Sequence, residues 1–383
     1  MADRVFFHIG LPKSGTTYLQ TIMWQNRELL RRQGLLYPGR KRMEHYHAFR
    51  QAQGAPLSEL AGNGDVWGRF TQRLAAWNGT GLLSHEFWSM LDADEARSAI
   101  EDLAPAEVEV VITVRDYVRQ FPAVWQESLK MLSQDSFDEF MDKAFARRLP
   151  GPWSWRTQDV VAVADRWARA VGDPSRVHLV TLPPAGAPRE LLWQRWREVL
   201  GFDDTGFDMS LAVGNESLGA PQAALLHDVK PYLSDPLSSR PEFHRWVRQY
   251  FGHEVLVPQN GPRFGMRPEQ ALRMRDLSLA AVDELGRTGY PVTGDLQDLV
   301  PPADPEVRPS PDEVSESERL QVAGRAIDQM IRDVRDLTRE RDRLLAQQSR
   351  RTGMSAPAGN GTARVRRLAN GLRTRAGRLL AQR

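Results

Sequence analysis

Apolar residues along the chain follow two alternating patterns. Four short apolar runs, typical of buried strands, begin near residues 5, 81, 108 and 176. Between and after these runs, apolar residues recur three or four positions apart, as they do on the buried face of a helix. Because crossover helices join parallel strands, the alternation predicts an α/β domain with a mainly parallel sheet between two helix layers, a three-layer αβα fold.

The helical spacing also predicts where the helices lie. The predicted helices cover residues 18–30, before Gly34, and 92–102, 159–171 and 189–200, with further helical segments at 220–255 and 267–287. We expect this α/β domain to occupy residues 1–299.

A different pattern follows the domain. Residues 300–314 hold five prolines among acidic residues, which predicts an extended linker. In residues 315–349 the spacing is that of a short coiled-coil seam with one charged member. The seam is formed by Leu320, Ala323, Ile327, Met330, Val334, Leu337, Arg341 and Leu344. Two interpretations stay open, a homodimer through residues 320–344 or a helix packed back on the domain.

Residues 350–383 form a basic tail. They hold nine arginines and no acidic residue, while the whole chain carries a formal net charge of +2, so the first 349 residues carry −7. Leucines line one face of a helix drawn through the tail, which suits an anionic membrane surface or an acidic partner, although a disordered tail fits the composition equally well. Since the basic charge belongs to the tail, we expect no nucleic-acid partner.

Composition narrows the class of protein further. With 41% hydrophobic and 26% charged residues, the chain is typical of a soluble protein with a large core. It has no cysteine, which excludes disulfides and thiolate metal sites. The start Met1-Ala-Asp-Arg runs straight into the first strand and leaves no room for a signal peptide. We therefore expect a cytoplasmic protein that the tail can hold at a membrane surface.

The loop after the first strand has the pattern of an anion site. Val5 to Ile9 is the strand, Gly10 to Gly15 the loop, and a helical pattern starts at Thr16. Glycines let such a loop turn its backbone N–H groups inward, and the helix dipole favours negative charge at the same point. The loop differs from the nucleotide-binding pattern G-x-x-x-x-G-K-[ST], because Thr16 stands where the lysine belongs and Lys13 comes three places early.

The string Pro12-Lys-Ser-Gly-Thr-Thr17 resembles the 5′-phosphosulfate loop of the sulfotransferases that use 3′-phosphoadenosine-5′-phosphosulfate (PAPS). The resemblance implies a P-loop-like sulfotransferase fold with PAPS as the sulfuryl donor and no metal. It also implies that Lys13 is catalytic. The implied cofactor residues in the loop are Pro12, Lys13, Ser14, Gly15, Thr16 and Thr17.

A second element lies at the end of the strand that begins at residue 108. There Arg115-Asp116 opens a helix, which places a guanidinium beside a helix N-terminus. The pair resembles the 3′-phosphate element of the same family, in which a serine follows eight residues later. The chain has Ala123 at that position, so Arg119 or Ser128 is the candidate substitute, and Arg115 and Arg119 complete the predicted cofactor site.

The residues that follow the second strand are candidates for a catalytic base. His85 and Glu86 come at the carboxyl end of this strand, where ligands bind in open α/β sheets. Relatives carry a histidine or an acidic residue in this neighbourhood to remove the acceptor's proton. Glu86 is the first choice and His85 the second, and the alternative is that one of them caps the next turn.

The sequence thus predicts an enzyme, a PAPS-dependent sulfotransferase acting on a hydroxyl or amine of a small-molecule, glycan or lipid acceptor. A diverged P-loop kinase or NTPase is an alternative that would need a lysine at position 16. The other alternative is a nonenzymatic adaptor that works through its coiled coil and basic tail. Ala123 favours the adaptor, whereas Lys13 and Arg115 favour the enzyme.

Overall fold

A computed structural model describes residues 2–57, 62, 64–210, 217–304 and 306–351. Six parallel strands form one sheet in the order β2-β3-β1-β4-β5-β6. The strands are β1 Ala2–Gly10, β2 Leu35–Leu36, β3 Gly79–Ser84, β4 Glu107–Val114, β5 Val177–Thr181 and β6 Val292–Thr293. The four predicted strands are confirmed as β1, β3, β4 and β5. The two edge strands were missed because two residues carry no periodic signal.

Helices connect these strands and cover both faces of the sheet. They are α1 Thr16–Gln25, α2 Arg27–Arg32, α3 Glu44–Ala52, α4 Val66–Ala75, α5 Ala93–Glu101, α6 Tyr117–Leu129, α7 Phe137–Phe145, α8 Trp155–Gln158, α9 Val160–Val171, α10 Glu190–Leu200, α11 Ala220–Val229, α12 Asp235–Ser238, α13 Arg240–Glu242, a π-helix Phe243–Leu256, α14 Pro268–Thr288 and α15 Glu316–Arg351. None of the helices in the described ranges has the length and apolar content that a membrane span needs.

Neighbouring residues of β1 show how the central layer is buried. Side chains alternate between the faces of a strand. Phe6 belongs to a core cluster with Leu19 of α1 and Trp196 of α10. The next residue, Phe7, packs edge-on against Trp167 of α9 on the other face, with ring centroids 5.2 Å apart. With apolar cores on both faces of a parallel sheet, the predicted three-layer αβα architecture is confirmed.

Two predicted helices are interrupted. Asn26 ends α1, because its side-chain amide donates to the carbonyl oxygens of Ile22 and Asp208, both at 2.9 Å, and α2 begins at the next residue. In the predicted 220–255 segment, α11 ends at Val229, and the following stretch carries three prolines that shorten the helices up to residue 243.

The sequence predicts an extended linker at residues 300–314, whereas the structure packs part of this segment against the domain. Ser310 is 1% exposed. The carboxylate of Asp312 accepts the backbone N–H groups of Phe137 (3.2 Å) and Asp138 (2.7 Å) and so caps the N-terminus of α7. The first compact unit accordingly runs from Met1 to Ala323 and includes the start of α15. Composition could not show this docking, since it depends on one carboxylate reaching a distant helix end.

The second unit is Gly324–Arg383. Its described part is the remainder of α15, which confirms the predicted helix at 315–349. The prediction for the basic tail lies outside the described residues from residue 352 on.

Candidate functional site

The predicted anion loop has a backbone conformation with positive φ angles, which its glycines adopt without strain. Gly10, Lys13 and Gly15 have positive φ angles of 104°, 67° and 86°. A Cβ atom on Gly10 would lie 2.9 Å from Cα of Glu86, so the start of the loop and Glu86, the second residue after β3, approach each other closely only because Gly10 has no side chain. Gly15 is the N-cap of α1, and the first N–H groups of that helix have no partner inside it.

A buried relay, by which we mean a series of hydrogen-bonded polar side chains, connects the loop to strands β1, β3 and β4. His8, near the carboxyl end of β1, is fully buried, and its Nδ1 lies 2.7 Å from Oγ of Ser84 on β3. Its Nε2 lies 3.2 Å from Oγ1 of Thr113 on β4, which in turn lies 2.6 Å from Oγ of Ser14. Burial lowers the pKa of His8 to about 3, so the imidazole is neutral at pH 7.

The relay also defines what Ser14 does. Its hydroxyl donates to the carbonyl oxygen of Leu11 at 2.5 Å, and the whole side chain is buried. Leu11 N–H donates to the carbonyl oxygen of Thr113 at 2.7 Å. The side chain of Ser14 therefore holds the loop in shape, while Thr17, in the first turn of α1, is exposed.

Lys13 is held by a residue that the sequence analysis missed. Its Nζ donates to Oε2 of Glu127 on α6 at 3.1 Å, and Arg248 pairs with the other carboxylate oxygen. Burial alone would raise the pKa of Glu127, but the charges of Lys13 and Arg248 outweigh it and lower the pKa to about 2. Glu127 lies one helical turn beyond Ala123, the position where a serine was expected, and this spacing is the one signal in the sequence that could have pointed to it.

Arg115 joins the loop to a basic patch. Its Nη1 donates to the carbonyl oxygen of Lys13 at 3.2 Å, and its buried Nε has no hydrogen-bond partner among the described residues. Burial, followed by the charges of Arg119, Arg308 and Arg263, lowers the pKa of Arg115 to about 10. Arg263 and Arg308 come from distant segments, so neither could be assigned to this patch from sequence spacing.

The two candidate substitutes for the serine at position 123 have other partners. Arg119 pairs with Asp116 and donates to the carbonyl oxygen of Pro183 at 2.8 Å. The hydroxyl of Ser128 is buried and donates to the carbonyl oxygen of Trp125 within α6 at 2.8 Å. Arg119 therefore adds positive charge to the patch, whereas Ser128 faces its own helix.

His85 and Glu86 follow β3 directly, as predicted, and their partners differ. Nδ1 of His85 accepts the backbone N–H of Phe87 at 3.1 Å, so His85 caps the short 3₁₀ turn that begins at Glu86. Oε2 of Glu86 accepts from Nε2 of Gln20 at 3.1 Å. Burial opposes ionisation of Glu86, but neighbouring His85 and the donor Gln20 leave its pKa below the ordinary value. Glu86 is thus a carboxylate at pH 7 and can accept a proton.

Aromatic rings surround this pair of residues. We call Tyr46, Phe87 and Trp153 the aromatic rim; each is half-buried. The rings of Phe87 and Trp153 are 5.9 Å apart, and Tyr46 lies 6.1 Å from Phe87 and 5.3 Å from His85. The rim offers an apolar surface beside a carboxylate, an arrangement typical of small-molecule sites.

The structure thus brings the predicted loop, Arg115 and Glu86 to one edge of the sheet. Within the described ranges there is no cluster of three or more histidine or carboxylate side chains that could hold a metal ion. Comparison of the chain with protein-family models and with curated proteins finds no match.

The buried His8 makes stability sensitive to acid. Its pKa is about 3 in the folded protein and about 6.5 when unfolded, so the unfolded chain binds an extra proton below pH 6.5. The contribution of neutral His8 to the free energy of unfolding is therefore fully present above pH 6.5 and falls as the pH drops toward 3. Between pH 7 and pH 5, His8 should account for a loss of about 2 kcal/mol in the free energy of unfolding.

Urea unfolding at pH 7 and pH 5 tests this prediction. In His8→Gln the difference between the two pH values should shrink by about 2 kcal/mol, whatever the variant's absolute stability. The exposed His244→Gln is the matched control for loss of an imidazole. An unchanged difference in His8→Gln would contradict the assignment of His8 as a buried neutral group.

Glu127 should oppose anion binding at Lys13. Removing its charge in Glu127→Gln relieves a repulsion of at least about 1 kcal/mol, so inorganic phosphate should bind at least about fivefold more tightly. The measurement is calorimetric titration with phosphate, with the exposed Glu101→Gln as control. Weaker binding by Glu127→Gln would show instead that the carboxylate mainly positions Lys13.

Proposed function

We propose that this protein transfers a sulfuryl group from PAPS to a hydroxyl, or an amine, of an acceptor molecule. The observation that carries the proposal is the hydrogen bond from Arg115 to the carbonyl oxygen of Lys13, which joins two cationic elements at the ends of β1 and β4. A ligand with a 5′-phosphosulfate and a 3′-phosphate needs two such sites at a fixed separation. The resemblance of residues 12–17 to the family's loop supplies the identity of the donor.

In this reaction the acceptor oxygen attacks sulfur while the bond between sulfur and the 5′-phosphate oxygen breaks. Negative charge grows on the departing phosphate, where the ammonium of Lys13 and the first N–H groups of α1 stabilise it. The acceptor loses its proton to a base, and adenosine 3′,5′-bisphosphate leaves. Lys13 must exchange Glu127, its partner at 3.1 Å, for the phosphate.

Glu86 is the base that the geometry favours. Gly10 places the backbone of Glu86 directly against the start of the loop. Nδ1 of His85 accepts the N–H of Phe87. We therefore assign His85 a structural role, which is to fix the 3₁₀ turn and to orient Glu86. The acceptor would then approach across the aromatic rim, where the flat rings can pack against a sugar face or an apolar chain.

The alternatives have less support. A kinase of the P-loop type needs a lysine at position 16, and Thr16 there is 3% exposed, in the first turn of α1. A nonenzymatic adaptor would have no need for a preorganised loop, a carboxylate base and a strand-end arginine at one sheet edge.

Calorimetric titration with adenosine 3′,5′-bisphosphate tests the proposal. We expect micromolar binding that is unchanged by chelation of divalent metal and is much tighter than binding of adenosine 5′-monophosphate, because only the bisphosphate reaches Arg115. Arg115→Ala should weaken bisphosphate binding about tenfold or more through loss of a charge-assisted contact, with little effect on the monophosphate.

The exposed Arg32→Ala is the control for removing a positive charge. Absence of heat and of thermal stabilisation at millimolar bisphosphate would refute the proposed function.

A further inference from the structure

The described part of the second unit carries a stripe of exposed apolar side chains. Along α15, Ile327, Val334 and Leu337 are 58%, 63% and 71% exposed, and Leu344 is 53% exposed. Large side chains exposed in one continuous row are uncommon on a monomer and mark a contact surface. Polar and charged residues, mostly arginine and aspartate, occupy most of the remaining helix surface, so the large apolar side chains are confined to one face.

The spacing of the apolar residues in the stripe indicates which kind of surface fits it. Apolar residues separated alternately by three and four positions repeat every 3.5 residues, and this period keeps a seam facing a second helix. In a heptad register the a positions are Ile327, Val334 and Arg341, and the d positions are Met330, Leu337 and Leu344. β-branched residues at a with leucine at d favour two parallel strands. The matching surface is therefore another helix with the same repeat.

Arg341, the one charged residue in the seam, specifies the partner more closely. In the single chain it is 65% exposed and pairs with Asp342 of its own helix at 2.7 Å. In a parallel, in-register pair, an a residue packs beside the residue that precedes a on the other strand. That residue is Glu340, so each Arg341 meets a carboxylate of the second copy. The charge that disfavours burial in a seam is therefore complementary in this register.

We propose that residues 324–348 bind a second copy of this chain as a parallel, in-register two-stranded coiled coil. The segment is about 37 Å long at 1.5 Å per residue, enough for about three and a half heptads. Its layers are the six a and d positions above, with Ile331 and Leu345 widening the apolar face. This dimer is independent of the proposed sulfuryl transfer.

Light scattering after size-exclusion chromatography of the full chain is the first test. The wild type should have the mass of a dimer at micromolar concentration, and Leu337→Asp should be a monomer, with the dissociation constant raised at least about 100-fold by a charge buried in the seam. Gln329→Asp introduces the same charge at a c position, outside the seam, and should stay a dimer. A monomeric wild type at tens of micromolar would overturn the proposal.

The absence of cysteine allows a direct test of register. The chain has none, so a single introduced cysteine can form a disulfide only with the same residue of another copy. Leu337→Cys should form covalent dimers quickly under mild oxidation, and Gln329→Cys should not. Equal crosslinking of the two variants would reject the parallel, in-register arrangement.

Charge exchange at the seam tests the pairing of Arg341 with Glu340. Arg341→Glu places two carboxylates side by side across the seam, so the dimer should weaken about tenfold or more. Adding Glu340→Arg to this variant should restore most of the affinity. No recovery in the double variant would show that the two charges do not meet across the interface.

Discussion

A neutral imidazole in the middle of the sheet is the constraint on which the candidate site depends. His8 joins Ser84 of β3 to Thr113 of β4, and Thr113 continues the hydrogen-bond chain to Ser14 in the loop. This series of hydrogen bonds spans the neighbouring strands β3, β1 and β4 at their carboxyl ends. Because a buried polar group without a partner costs several kcal/mol, these side chains hold one arrangement, and the loop above them is preorganised. Preorganised donors stabilise developing charge without reorganising during the reaction.

The basic side chains of the candidate site pair with acidic side chains. Glu127 sits between Lys13 and Arg248, and Asp116 pairs with Arg119, so part of the positive charge of the site is compensated. Under the proposed function, a bound anion must replace Glu127 at Lys13. The same carboxylate that orders Lys13 would then lower the net gain from binding phosphate. The buried Nε of Arg115 has no hydrogen-bond partner among the described residues.

The sequence was sufficient for the parts of the fold that local patterns encode. The apolar runs of β1, β3, β4 and β5 and the loop at residues 10–15 were predictable, because strand burial and glycine turns leave a signal within a few residues. Long-range partners leave no such signal. Glu127 reaches Lys13 across 114 positions, and Asp312 caps α7 from 174 positions away. The preference for Glu86 over His85 in the proposed function also needed coordinates, because it rests on the backbone N–H that His85 accepts.

The most direct test of the proposed transfer is the release of adenosine 3′,5′-bisphosphate from PAPS, followed with a panel of carbohydrate, lipid and phenolic acceptors. We expect acceptor-dependent release by the wild type. In Lys13→Ala turnover should fall by roughly two to three decades, the effect of losing one preorganised electrostatic donor, with a smaller loss of bisphosphate affinity. Equal losses of turnover and affinity in Lys13→Ala, or bisphosphate that binds while PAPS stays intact with every acceptor, would contradict the role given to Lys13 and its loop.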